Sequence, residues 1–165
     1  MHKQVNINVL KKKNILFFIS GLDDTIDEIS IIKPIYEGIK KENQYKIVWI
    51  PILEQWTDEL RKKFDFLQSK MQWYIVQYFS PVVGIKVIKE KWNFKNKPIV
   101  VVMNQQGKVV HPNALHMIRV WGMKAYPFTP AVEESLTNSV DGIVSLFDFG
   151  LDGSTWVRKV IYLFS

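Results

Sequence analysis

The densest group of potential ligands in this 165-residue chain is Asp23-Asp24-Thr25-Ile26-Asp27-Glu28, four carboxylates within six residues. Oxygen clusters can hold calcium, which takes six to eight oxygen ligands, so Asp23, Asp24 and Asp27 are the candidate metal residues. The same acids suit the start of a helix, where negative charge meets the positive end of the helix dipole. On a helical turn they splay apart, because neighbours one and two apart do not face each other. The expectation is therefore capping, with no metal bound.

Other fragments fail on spacing. Asp148-Phe149-Gly150 matches the magnesium-binding tripeptide of kinases, yet no Gly-rich loop, strand lysine or catalytic-loop Asp accompanies it. Read as a calcium loop, the stretch from Asp148 has Gly150 at the third position and Lys159, a cation, where the bidentate acid belongs. Gly107-Lys108 lacks the upstream Gly and downstream Ser/Thr of a phosphate loop, and no Gly-x-Ser-x-Gly elbow occurs. His111 and His116 are five apart, which on a shared helix sets them about 140° apart. Three histidines in all are few for a zinc enzyme, and the absence of cysteine removes thiol nucleophiles, disulfides and thiol redox chemistry. The residues point to no catalytic group, no cofactor and no enzyme.

The 22 Lys+Arg against 16 Asp+Glu leave a formal charge of +6, spread over Lys11-Lys12-Lys13, Lys40-Lys41, Arg61-Lys62-Lys63 and Lys86 to Lys97. These read as the solvated faces of helices, so no nucleic-acid partner is expected. Apolar runs such as Ile15–Ile19 and Ile99–Met103 fall far short of the ~20 residues that span a bilayer, so membrane insertion is not expected either. A composition of 47% hydrophobic and 23% charged residues indicates a globular chain with a real core. Trp49, Trp73, Trp92 and Trp121 fall on core faces, leaving Trp56 and Trp156 for a contact surface.

The elements follow from periodicity. Asn14–Ser20 and Lys46–Leu53 read as strands buried on both faces, and Pro98–Asn104 as the strongest strand. Trp73–Tyr78 reads as a further strand. Ile29, Ile32, Tyr36 and Ile39 form a helical stripe interrupted by Pro34, expected to kink. Thr57 caps a helix with Leu60, Phe64, Leu67 and Met71 inside, and Ser80-Pro81 starts one carrying Ile85, Ile88 and Trp92. Gln105-Gln106-Gly107-Lys108 turns the chain into an antiparallel Val109-Val110. Asn113 caps a helix with Leu115, Ile118 and Trp121 inside, stopped by Gly122, and another helix is expected around Ala131–Val140. The result is α/β, a central mixed sheet with helices on both faces. The apolar end Val160–Phe164 reads as an interrupted strand and suggests a piece of a longer protein.

This order of elements resembles thioredoxin-like proteins of the tryparedoxin and nucleoredoxin type. Asn96-Lys97-Pro98-Ile99-Val100-Val101-Val102 resembles their segment in which a cis-proline precedes a central strand, and Gln106-Gly107-Lys108-Val109-Val110 their hairpin. The resemblance implies a cis Lys97–Pro98 bond and a Cys-x-x-Cys after the first strand. Asp24 and Asp27, or Ile26 and Ile29, stand where those cysteines belong, so the fold is kept without the redox chemistry.

A further resemblance is more specific. Asn113-Ala114-Leu115-His116-Met117-Ile118-Arg119-Val120-Trp121-Gly122, followed by Ala125-Tyr126-Pro127-Phe128-Thr129, resembles the signature of plant sieve element occlusion proteins. Val102–Val109 and Lys13–Ser20 fit the same family, and Ser154–Leu163 resembles the start of the region after its thioredoxin-like domain. The resemblance implies that residues 1–130 are that domain and 131–165 a helical extension into the following region. It marks Pro98, Trp121, Gly122 and Pro127 as structural motif residues. It implies a structural subunit of phloem filaments or forisomes in the sieve-element cytoplasm, partnered by self-association and occluding sieve tubes on wounding. Calcium would act on the full assembly. The alternative is a redox-inactive module holding a partner's extended segment near Pro98, or a regulator of an oxidoreductase pathway.

Overall fold

The computed structural model describes residues 7–23, 25–76 and 88–139. Asp24, Asp148-Phe149-Gly150, Trp156, Ser154–Leu163 and the start of the helix expected at Ser80-Pro81 lie outside them.

After a short 3-10 turn at Ile7–Leu10, the elements run β1 (Asn14–Ser20), α1 (Thr25–Ile39), β2 (Tyr45–Pro51), α2 (Asp58–Ser69) and β3 (Tyr74–Ile75). Then come β4 (Ile99–Met103), β5 (Val109–His111), α3 (Leu115–Trp121), a 3-10 turn at Gly122–Ala125 and α4 (Pro130–Asn138). The five strands form one mixed sheet in the order β3-β2-β1-β4-β5. β1 pairs with β2 in parallel and with β4 antiparallel, as expected of an α/β sheet whose last strands form a hairpin.

Alternation along the strands divides the interior in two, since successive side chains point to opposite faces. Leu16, Phe18, Ile47, Trp49, Val100 and Val102 face one core, closed by α1, α2 and α3 through residues such as Ile32, Phe64 and Ile118. Ile15, Ile19, Val48, Ile50, Ile99 and Val101 face the other, closed by Leu10, Ile88, Trp92 and Phe94. This two-sided burial explains why the strands read as unbroken apolar runs.

α1 runs through Pro34 to Ile39 and buries Ile35 rather than Tyr36 between Ile32 and Ile39. Trp56 is half-buried, packed against the first core with its ring edge-on to Phe64 at 5.5 Å. The peptide before Pro98 is trans, contrary to the expected cis bond; among the described residues the cis peptide is Tyr126–Pro127. Trans is the favoured state of an X–Pro bond by about 0.5–1 kcal/mol.

The β4–β5 ladder carries an irregularity. Val102 pairs with His111 and Met103 with Val109, leaving Val110 as an extra residue. A bulge of this kind disturbs the strict alternation of a strand. Val110 packs against the first core, and the next residue, His111, is buried opposite Val102 of the same core.

Candidate functional site

Two places gather polar side chains. The first is the junction of β1 and α1, where the acidic cluster lies. Thr25 is fully buried and its hydroxyl donates to Gly21 O at 2.7 Å, while Trp49 Nε1 donates to Ser20 Oγ at 2.9 Å. Glu28 turns inward and accepts from Arg119 Nη2 of α3 at 3.0 Å. Asp23 is exposed and pairs with Lys63 of α2, and Asp27 is exposed on the outer side of α1. Among the described acids, Asp23, Asp27 and Glu28 therefore point to different surroundings and share no common centre. Neighbouring positions on a helical turn diverge, as the spacing implied.

The second place was not legible in the sequence. His111 ends β5, His116 lies in the first turn of α3, and Glu133 lies in the first turn of α4. His111 Nε2 is 2.9 Å from Glu133 Oε2, and His116 Nε2 contacts the other oxygen, Oε1. The two imidazole rings are 6.0 Å apart between centroids. Ligand atoms of the three residues all lie within 4.8 Å of one another. The expected 140° separation of the histidines applies to a common helix, and they are on a strand and a helix instead.

Local structure fixes each member. Asn113 Oδ1 accepts from Val100 N at 3.2 Å and from Leu115 N at 3.1 Å, and Ala114 N donates to Val100 O at 2.8 Å. These bonds hold the turn between β5 and α3 against β4. Thr129 Oγ1 accepts from Val132 N at 3.3 Å, and Pro130 occupies the start of α4, where its missing N–H costs nothing. Glu133 N donates to Thr129 O at 3.0 Å, and Thr137 Oγ1 donates to Glu133 O at 2.8 Å.

The network also fixes a proton. Asn113 N donates to His111 Nδ1 at 3.1 Å, so that nitrogen is an acceptor and the neutral ring carries its hydrogen on Nε2. The Nε2–H then donates to Glu133. Burial pushes the Glu133 carboxyl up, but hydrogen bonds from His116 and His111 outweigh it and hold the group below its ordinary value. Chemically the cluster can pass or hold a proton, tie three elements together, or offer two imidazoles and a carboxylate to a metal ion.

The four motif residues lie in and beside the elements around β4 and α3. Trp121 is buried in the first core, and Gly122 takes φ 56°, ψ −133°, a backbone state that favours glycine. Pro98 directly precedes β4, and Pro127 precedes Phe128, which is fully buried at φ 65°. That conformation costs a bulky residue about 1–3 kcal/mol, which burial of the ring offsets.

No protein-family model matches the chain. Among solved structures, tryparedoxin I from Leishmania major superposes with a TM-score of 0.62 at 16% identity, covering 77% of this chain and 87% of that one. This shows the thioredoxin-like fold. The Arabidopsis thaliana protein SIEVE ELEMENT OCCLUSION B is 35% identical over 98% of the chain, and SIEVE ELEMENT OCCLUSION A is 34% identical over 81%. The chain spans about a quarter of the first of these relatives, 24%, and 16% of the second. With 35% and 34% identity to these two proteins over most of its length, the chain belongs to the sieve element occlusion family.

Proposed function

We propose that this chain is the non-enzymatic, thioredoxin-like structural domain of a phloem filament or forisome subunit that occludes sieve tubes from the sieve-element cytoplasm. The observation that carries this reading is the β1–α1 junction. After the first strand, where the resemblance puts the reactive thiols on Asp24 and Asp27 or on Ile26 and Ile29, the neighbouring Thr25 donates to Gly21 O and Ser20 accepts from Trp49, with no cysteine anywhere in the sequence. A thiolate is needed to attack a disulfide, so the chain has no group for that reaction, and the occlusion-family relatives support a module in an assembly of like subunits. No helix of the described residues is long and apolar enough to cross a membrane, in keeping with that role. Calcium responsiveness belongs to the full assembly, because the described acids at the junction diverge.

Electron microscopy of the full-length protein tests the assembly role. Filaments are expected, and deletion of residues 14–139 should abolish them; filaments unaffected by the deletion would refute it. Turnover of insulin disulfides by this chain above a buffer control would refute the non-enzymatic reading.

A further inference from the structure

We propose that His111, His116 and Glu133 form a binding site for a borderline transition-metal ion of the zinc type, which pins α4 to β5 and α3. Two imidazole nitrogens and one carboxylate oxygen from three separate elements already lie within 4.8 Å of one another. Zinc binds imidazole nitrogen and carboxylate oxygen at about 2.0–2.2 Å, so a modest contraction brings all three atoms onto one ion. His116 is half-exposed, its side chain at 53%, so the fourth position opens to solvent and takes water. The nitrogen-rich set selects against calcium and magnesium, which require oxygen ligands.

One feature of the surroundings limits the affinity. A metal on His111 Nε2 displaces the hydrogen from that nitrogen, and the neutral ring must then carry it on Nδ1. That nitrogen now accepts from the Asn113 amide, so the bond has to open when the ion enters. Metal-bound histidines ordinarily donate from the second nitrogen, and a mismatched outer partner weakens a site about 10–100-fold. The site is therefore of micromolar rather than structural-zinc strength.

The gain falls on α4. That helix buries none of its residues, and only Val132 and Leu136 reach the edge of the first core. An ion bridging Glu133 to both histidines adds a fixed link where apolar packing is thin. The inference concerns a cation of different class from calcium and does not rest on the assembly reading.

Titration calorimetry of the chelator-stripped 165-residue chain with Zn2+ tests it. One ion per chain is expected, with affinity lowered at least about tenfold in His116→Ala and again in Glu133→Gln. Both side chains are partly exposed, and retained circular dichroism shows that the variants fold. His2→Ala, which removes the remaining histidine of the sequence, should leave binding intact. Zinc should also slow hydrogen exchange of residues 130–138, whereas Ca2+ should not compete. Absence of zinc binding, binding unchanged in both cluster variants, or binding lost with His2→Ala would overturn the proposal.

Discussion

The β1–α1 junction and the β5–α3–α4 corner are opposite cases of how a fold spends its polar residues. At the junction the groups are close in sequence, but each is taken up by a separate partner: Thr25 by Gly21, Ser20 by Trp49 from 29 positions away, and Glu28 by Arg119 from 91 positions away. At the corner the groups are distant in sequence and are taken up by one another. Density of charged residues along the chain is therefore a poor guide to a site here. What assembles a site is the meeting of elements whose backbones are held for other reasons.

The contrast makes the junction the costlier place to disturb. Trp49→Ala removes a fully buried ring stacked on Phe64 at 5.5 Å, and should cost about 3–5 kcal/mol in denaturant unfolding. A loss near 1 kcal/mol would mean that the junction is not a core feature. Ser20→Ala keeps the ring but strands its buried N–H, and should cost about 1–3 kcal/mol.

The corner should respond less, and with pH. In chelator at neutral pH, Glu133→Gln should cost at most about 1 kcal/mol, because the pair with His116 is partly solvated. The folded-state carboxyl titrates below the ordinary 4.5, so its contribution is present above that value and is lost as pH falls through the lowered one. Wild type and Glu133→Gln should therefore converge in stability in strong acid; a gap that widens there would contradict the geometry. Smallest of all is calcium. Millimolar Ca2+ should leave Tm within about 1 °C, since a ligand stabilises only by binding the native state. A clear rise abolished by Asp24→Asn would restore the acidic cluster as a site.

Much of the fold was legible because its signals are local. The runs Asn14–Ser20 and Ile99–Met103, the Thr57 cap that accepts from Leu60 N, and the stop at Gly122 each arise from a few adjacent residues. The edge-on contact of Trp56 with Phe64 was not, because it depends on how the loop before α2 folds back. The isomer at Pro98 rested on resemblance alone, and no local residue dictates it. The corner escaped for a topological reason. His111 and Glu133 are 22 positions apart, and Glu133 already has a sufficient local reason to sit in the first turn of α4. Only the path of the chain from β5 through α3 to α4 brings them together.

The irregularity in the β4–β5 ladder has a consequence for which length changes the chain can absorb. The hairpin tip is exposed and closed by local bonds, Asn104 Oδ1 accepting from Gln106 N and Lys108 N, so an insertion between Asn104 and Lys108 costs those bonds and no core contact. Between Val109 and Asn113 the arithmetic is strict. Removing Val110 would regularise the pairing, returning the strand to simple alternation, and losing any one residue there would shift Asn113 away from Val100. Length variation among natural relatives should therefore collect at the hairpin tip and stop abruptly at Val109, a boundary that lies within a few residues and follows from one unpaired position.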